Sequence, residues 1–238
     1  MHILMLSSSR VNNCDYLAAA KNDILTHLGA VSECLFVPYA GISTSYDTYT
    51  EMVQHALPEL SVIGLHTFDN EVQAIARASQ NNQAILVGGG NTFHLLYTLQ
   101  KLGLMPIIQE QVINQDIPYI GWRADSNICG ATIRTTNDMP IVEPESFNAL
   151  NVVPFQLNPH YSDYHPPGHN GETRDQRLAE FTVLNPTTPV VAIREGTALS
   201  LSKQQLTLVG EKGGFIFLGN EKRPIAPNEN LTELLNSS

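Results

Sequence analysis

The chain has 238 residues, 42% hydrophobic and 15% charged. That is enough apolar material for one large α/β domain and too much for a disordered tail. Its 13 basic and 23 acidic side chains leave a net charge of −10, the wrong sign for a phosphate-backbone partner and compatible with a few local cations around a small-molecule site. No run approaches the roughly 18 apolar residues of a membrane span. The cysteines, Cys14, Cys34 and Cys129, are scattered, which fits a reducing cytoplasm and neither a disulfide framework nor a zinc site.

Residues 2–6 (HILML) read as a first strand, because no basic flank precedes them and no small-residue cleavage site follows. Residues 15–28 place Leu17, Ala20, Ile24, Leu25 and Leu28 on one helical face. A strand at 31–38, a helix at 46–57, a strand at 61–66 and a helix at 70–78 follow. A short strand at 84–87 runs into Gly88-Gly89-Gly90-Asn91. Helices at 92–102 and 107–114, a strand at 118–122 and a further helix come next. This rhythm predicts an α/β fold in three layers, a mostly parallel sheet with helices on both faces. Residues 132–172 are rich in Pro, Asn, Asp and His and lack periodicity, the mark of functional loops. A helix at 172–181 and late strands at 189–194 and 215–218, with turns at 211–214, precede a polar stretch at 220–238 expected to be peripheral. No linker or repeat interrupts the chain, so one domain over 1–238 is expected.

Two turns carry candidate chemistry. In GGGN at 88–91 the glycines let the backbone approach a ligand and point amides at an anion. The spacing is neither G-x-G-x-x-G nor a P-loop, which leaves an oxyanion-binding turn or a plain tight turn. PYIGWRADSNICG at 118–130 is a strand, a turn and a helix opening, where a nucleophile elbow belongs. Gly121 takes the small position two before the nucleophile, Arg123 the nucleophile position, and Asp125 the second glycine position.

VGGGNTF (87–93), YIGW (119–122), TIRTTNDMPIV (132–142), NPH (158–160), GHNGETRDQR (168–177) and REG (194–196) follow one another through most of the chain. Together they resemble the peptidase E family, α-aspartyl dipeptidases of the serine type. The resemblance implies a flavodoxin-like sheet related to class I glutamine amidotransferases, and a Ser-His-Glu triad that cleaves dipeptides with an amino-terminal aspartate. It puts the catalytic histidine on His160 and the triad glutamate on Glu195. The oxyanion amides fall on Gly89, Gly90 and Ala124. Asn91, Arg134 and Arg174 become candidates for holding substrate, Arg174 foremost for the aspartyl carboxylate. No cofactor or metal is implied. The expected partner is a small acidic dipeptide or amino acid, with no nucleic acid and no membrane, in a cytoplasmic protein that can form a homodimer.

The family's elbow reads G-W-S-A-G-A-N, whereas this chain reads Gly121-Trp122-Arg123-Ala124-Asp125-Ser126-Asn127. A guanidinium is always protonated and cannot form an acyl-enzyme. The expectation is therefore a silent or impaired scaffold that binds small acidic peptides. The alternative is an active dipeptidase in which Ser126, or another displaced group, attacks instead. The aspartate is expected to relax or shift the elbow. Three uses of Arg123 stay open: pairing with Glu195 or Asp125, gripping a substrate carboxylate, or plugging a dead site. Asn137 and Asp138 are expected to brace their loop, and His165 and His169 to be loop residues.

Overall fold

The computed structural model describes residues 1–165, 167–168 and 170–236; His169 lies outside them. In chain order the elements are β1 (His2–Leu6), α1 (Lys21–Leu28), β2 (Glu33–Val37), α2 (Tyr46–Ala56), β3 (Ser61–Gly64), α3 (Glu71–Ala76), β4 (Gln83–Val87), α4 (Thr92–Lys101), α5 (Met105–Ile113), β5 (Pro118–Trp122) and α6 (Ala124–Ile128). They continue with β6 (Gln156–Asn158), α7 (Arg174–Leu184), β7 (Val190–Ile193), β8 (Ala198–Ser202), β9 (Gln205–Val209), β10 (Gly214–Leu218) and β11 (Glu221–Ile225).

A seven-stranded sheet runs β3-β2-β4-β5-β1-β8-β9. Its first five strands are parallel; β8 and β9 add antiparallel at one edge. Strands alternate their side chains between faces, and both faces here are apolar. Leu4, Leu6, Phe36, Leu86, Ile120 and Trp122 point to a core closed by Ile24 and Leu28 of α1 and Val53 of α2. Ile3, Met5, Leu35, Ile85, Val87 and Tyr119 point to the other, closed by Ile75, Leu96, Ile108 and Ile128 from the helices opposite. The molecule is thus the expected three-layer, mostly parallel α/β fold. No helix among the described residues is long and apolar enough to cross a membrane.

Three features depart from expectation. The helix foreseen over 15–28 begins only at Lys21, because Leu17 sits at φ 57° with its amide bound to Ser9 O, which breaks the helix before it. The strand at 190–193 leaves the main sheet and builds a second one, β11-β10-β7-β6, packed under α7 through Tyr161, Leu178, Val190, Ala192 and Phe217. The polar tail is not peripheral: β11 pairs with β10, and Leu231 and Leu234 are buried in the main core.

Candidate active site

The chain leaves β5 at Trp122 and enters α6 through Arg123, which sits at φ 60° and ψ −111°. Such a backbone costs a non-glycine residue about 1–3 kcal/mol. The expectation that Asp125 relaxes this turn is therefore overturned, and neighbouring bonds give the reason. The Arg123 amide donates to Leu6 O at 3.2 Å. The Ser126 hydroxyl donates to Leu6 O at 2.6 Å and Gly121 O at 3.2 Å. Asp125 folds inward: its Oδ1 accepts from Tyr119 OH, and its Oδ2 lies where Gly121 has no side chain, without a polar partner among the described residues. The missing Cβ of Gly121 thus makes room for the carboxyl of Asp125, four residues on.

Full burial pushes the Asp125 carboxyl well above the usual carboxylate range, with the Tyr119 hydrogen bond opposing only in part. The folded chain keeps this proton while the unfolded chain releases it near pH 4, so stability falls as pH rises from there toward the folded value. The slope is at most about 1.4 kcal/mol per pH unit. Asp125→Asn removes this dependence. In urea melts the variant should gain on the native chain from pH 5 to pH 8; an equal difference at both pH values refutes the assignment.

Ser126, the suggested substitute nucleophile, is completely buried with its proton on carbonyl oxygens. It holds the elbow and lines no part of the cleft. Ser126 is thereby corrected to a bracing residue.

His160 follows β6, and Glu195 follows β7. The His160 Nδ1 lies 2.8 Å from Glu195 Oε1. With the carboxylate accepting, the proton sits on Nδ1 and the lone pair on Nε2, which is buried and without a partner among the described residues. His160 itself is left-handed, at φ 54°. Its amide donates to Ser7 Oγ at 2.9 Å, and that hydroxyl donates to Ile193 O at 2.9 Å. Glu195 is steadied by its neighbours: Arg194 makes a two-pronged pair with Asp163 at 2.8 and 2.7 Å, and Gly196 N donates to Ser8 Oγ at 3.2 Å. Burial holds the imidazole below its usual range; the Glu195 hydrogen bond opposes this, and the Arg123 and Arg174 cations add to it. His160 is thus a neutral base at neutral pH. In an NMR titration Arg123→Ser should raise its midpoint and Glu195→Gln should lower it; unmoved midpoints refute this electrostatic picture.

The glycine turn abuts the elbow. A Cβ on Gly89 would stand 2.7 Å from Arg123 Cβ and 2.6 Å from Trp122 O, so only glycine permits this approach. The Gly89 carbonyl accepts from Tyr49 OH at 2.8 Å. The amides of Gly89, Gly90 and Ala124 have no acceptor among the described residues. Ser9, Arg10, Asn12, Tyr16, Met52, Arg123, His160 and Glu195 line a cleft of about 470 Å³. A neighbouring hollow of about 320 Å³ shares Ser9, Tyr16, Met52 and Arg123 with it and reaches Gly89, Gly90 and Asn91. A groove of about 570 Å³ along residues 140–147 contains none of these groups.

The Arg123 side chain is exposed to the cleft and forms no ion pair, hydrogen bond or ring contact among the described residues. The pairings with Glu195 and Asp125 do not form. Arg174 opens α7 and lines neither hollow; its Nη1 is buried and without a partner among the described residues, and burial depresses the pKa of its guanidinium. Arg134 is exposed and lines neither hollow. Asn91 borders the hollow, but both ends of its amide are engaged: Oδ1 caps α4 at His94 N (3.0 Å) and Nδ2 holds Met139 O (2.9 Å). Asp138 accepts from Thr92 N and Oγ1 at 2.8 and 2.6 Å, and Asn137 Nδ2 donates to Pro159 O at 2.9 Å. That loop is braced, as its sequence suggests. Sequence reasoning missed Ser7 and Tyr119, since a serine after a strand and a tyrosine within one carry no signal of their own.

The profile of peptidase family S51 matches residues 3–209. The chain belongs to that family. It is 52% identical over 238 residues to a peptidase E of Shewanella denitrificans, covering 99% of each chain, and 50% identical to a peptidase E of Shewanella sp. strain MR-4 with the same coverage. Among solved structures, a peptidase from an acI-B1 Actinobacterium superposes with a TM-score of 0.69 at 15% identity, over 97% of this chain and 96% of that one, a likeness of fold. In this S51 chain the elbow, the imidazole–carboxylate pair and the glycine turn meet at the carboxyl ends of β5, β1 and β4, where open α/β sheets bind ligands.

Proposed function

We propose that this member of family S51 is a peptidase E-type scaffold that binds small acidic peptides or amino acids and does not hydrolyse them through a seryl intermediate. The observation that carries this reading is the placement of Arg123. Its backbone adopts the strained turn of an elbow, and its side chain enters the cleft lined by His160 and Glu195. A base with a free lone pair then faces a residue with no proton to release at any usable pH. The buried Ser126 hydroxyl argues against a displaced nucleophile. The binding half of the reading rests on the Gly89 and Gly90 amides, which have no acceptor among the described residues, and on the Arg123 guanidinium that enters the cleft.

Residual hydrolysis by water, on the order of 10³-fold over the uncatalysed rate, remains available from the oxyanion donors and binding, as seen when a triad nucleophile is removed. The test is a fluorophosphonate label together with Asp-Leu hydrolysis by the native chain. The expected result is no label and turnover on the order of 10⁶-fold below that of a serine-bearing relative. A covalent adduct on any side chain overturns the proposal.

A further inference from the structure

An indole and two phenols beneath the cleft form one chain of hydrogen bonds that ends on the glycine turn. Trp122 Nε1 donates to Tyr16 OH at 2.8 Å and also reaches Tyr49 OH at 3.3 Å. Tyr16 OH donates to Tyr49 OH at 3.1 Å, and Tyr49 OH donates to Gly89 O at 2.8 Å. The two ends fix the direction. An indole N–H can only donate and a carbonyl can only accept, so each phenol between them hands its proton toward Gly89. Burial raises the pKa of both tyrosines, which keeps those protons in place. The chain thus runs from the residue just before Arg123 to the turn beside it. The turn is cut to fit. A Cβ on Gly88 would stand 2.6 Å from Tyr49 OH and 2.8 Å from its Cζ, and one on Gly90 would run into Ala40 O. Gly88 is bare because Tyr49 must cross it to reach the next carbonyl.

We infer that Tyr49, backed by Tyr16, is a positioning residue that aims the Gly90 amide at the bound anion and strengthens it as a donor. This rests on the reading of the Gly89 and Gly90 amides as anion donors. The 89–90 peptide bond is trans, so its carbonyl and its N–H point in opposite directions. Tyr49 is buried on the core side, packed on Phe36 with ring centroids 5.0 Å apart. With the carbonyl held there, the Gly90 N–H is turned the other way. It has no acceptor among the described residues, and the turn borders the hollow that also reaches Arg123. Glycine on both sides of a peptide lets it flip with little steric resistance. A flip here would place a carbonyl oxygen where a carboxylate or oxyanion has to sit, and the Tyr49 hydroxyl opposes it. The aligned hydroxyls also polarise one another and the Gly89 carbonyl, which makes the N–H on the same peptide a better donor.

Tyr49→Phe removes one oxygen and keeps the ring, so it tests the hydroxyl and not the packing. In amide NMR spectra of the full chain it should move the Gly90 resonance and broaden or double it, as the peptide samples both orientations. Tyr16→Phe breaks the chain one bond earlier without touching the turn, and should move the same resonance in the same direction by less. In the Arg123→Ser background, Tyr49→Phe should lower kcat on Asp-Leu at least about tenfold, short of the roughly 10²–10³-fold loss that follows outright removal of an oxyanion donor. KM should stay unchanged, since the donor acts on charge that develops only in the transition state. A Gly90 resonance that Tyr49→Phe leaves in place, or a loss carried by KM alone, overturns the inference. If Arg123→Ser shows no hydrolysis, the spectra decide. Addition of L-aspartate to the native chain tests the underlying reading separately: a Gly90 resonance that moves with Tyr49→Phe and ignores the ligand defeats the donor assignment and leaves the tyrosine's hold on the peptide standing.

Discussion

Arg123→Ser alone should give the chain Asp-Leu hydrolysis at least about 10³-fold above its native level, without repair of Asp125. Everything a serine needs there is already assembled. The backbone holds φ 60°, the imidazole offers Nε2 with its other nitrogen on Glu195 at 2.8 Å, and the glycine amides are unclaimed. Read from the sequence alone, the aspartate in the second glycine position argues for repairing both residues together. The structure removes that argument, because Asp125 points away from the cleft and lies over Gly121. Steady-state kinetics on Asp-Leu, with fluorophosphonate labelling of the new serine, measure the effect. Arg123→Ser/His160→Ala should return to the native level. If only the Arg123→Ser/Asp125→Gly form turns over, Asp125 disturbs the elbow in a way its buried position does not explain.

The second large effect falls on stability. Gly121→Ala should lower it by about 3 kcal/mol or more, at the severe end of overpacking substitutions. A methyl group there would land on the Asp125 carboxyl. That carboxyl has nowhere to retreat, being fully buried between β5 and α6. In an Asp125→Gly background the same alanine should be tolerated far better, since its obstacle is gone. The double-mutant cycle should therefore show strong coupling, measured by urea unfolding at pH 5, where the ionisation of Asp125 weighs least. Additive effects would mean that the clash is relieved by movement elsewhere and that the pair is not a unit.

The sequence made the parallel half of the molecule legible because its signals are local. β1 and β5 begin and end where their short apolar runs do, and GGGN stands between β4 and α4 as read. The late strands were harder. Gln156–Asn158 is a single leucine between two amides, and it is a strand because β7 lies beside it. Glu221–Ile225 is mostly exposed and is a strand only because β10 lies beside it. Long-range pairing of this kind leaves no period in the chain. At the site, His160 and Glu195 were found through motif resemblance, and the geometry then brought them together. The inward fold of Asp125 was not legible, since it depends on the hole that Gly121 leaves, nor was the burial of Ser126, which depends on the Leu6 carbonyl of a neighbouring strand. Arg134 and Arg174 look alike as loop arginines; only tertiary packing sends one to bulk solvent and buries the tip of the other.

Ser7 continues from β1, the strand beside the elbow's own, yet its hydroxyl reaches across to the second sheet, taking the His160 amide and giving its proton to Ile193. Imidazole and elbow are therefore levelled against a common bench mark. If the smaller sheet slid along the larger, the base would drift from position 123 with both residues chemically unchanged. Alignment in this cleft is a property of the seam between two sheets, kept by a side chain that takes no part in any reaction.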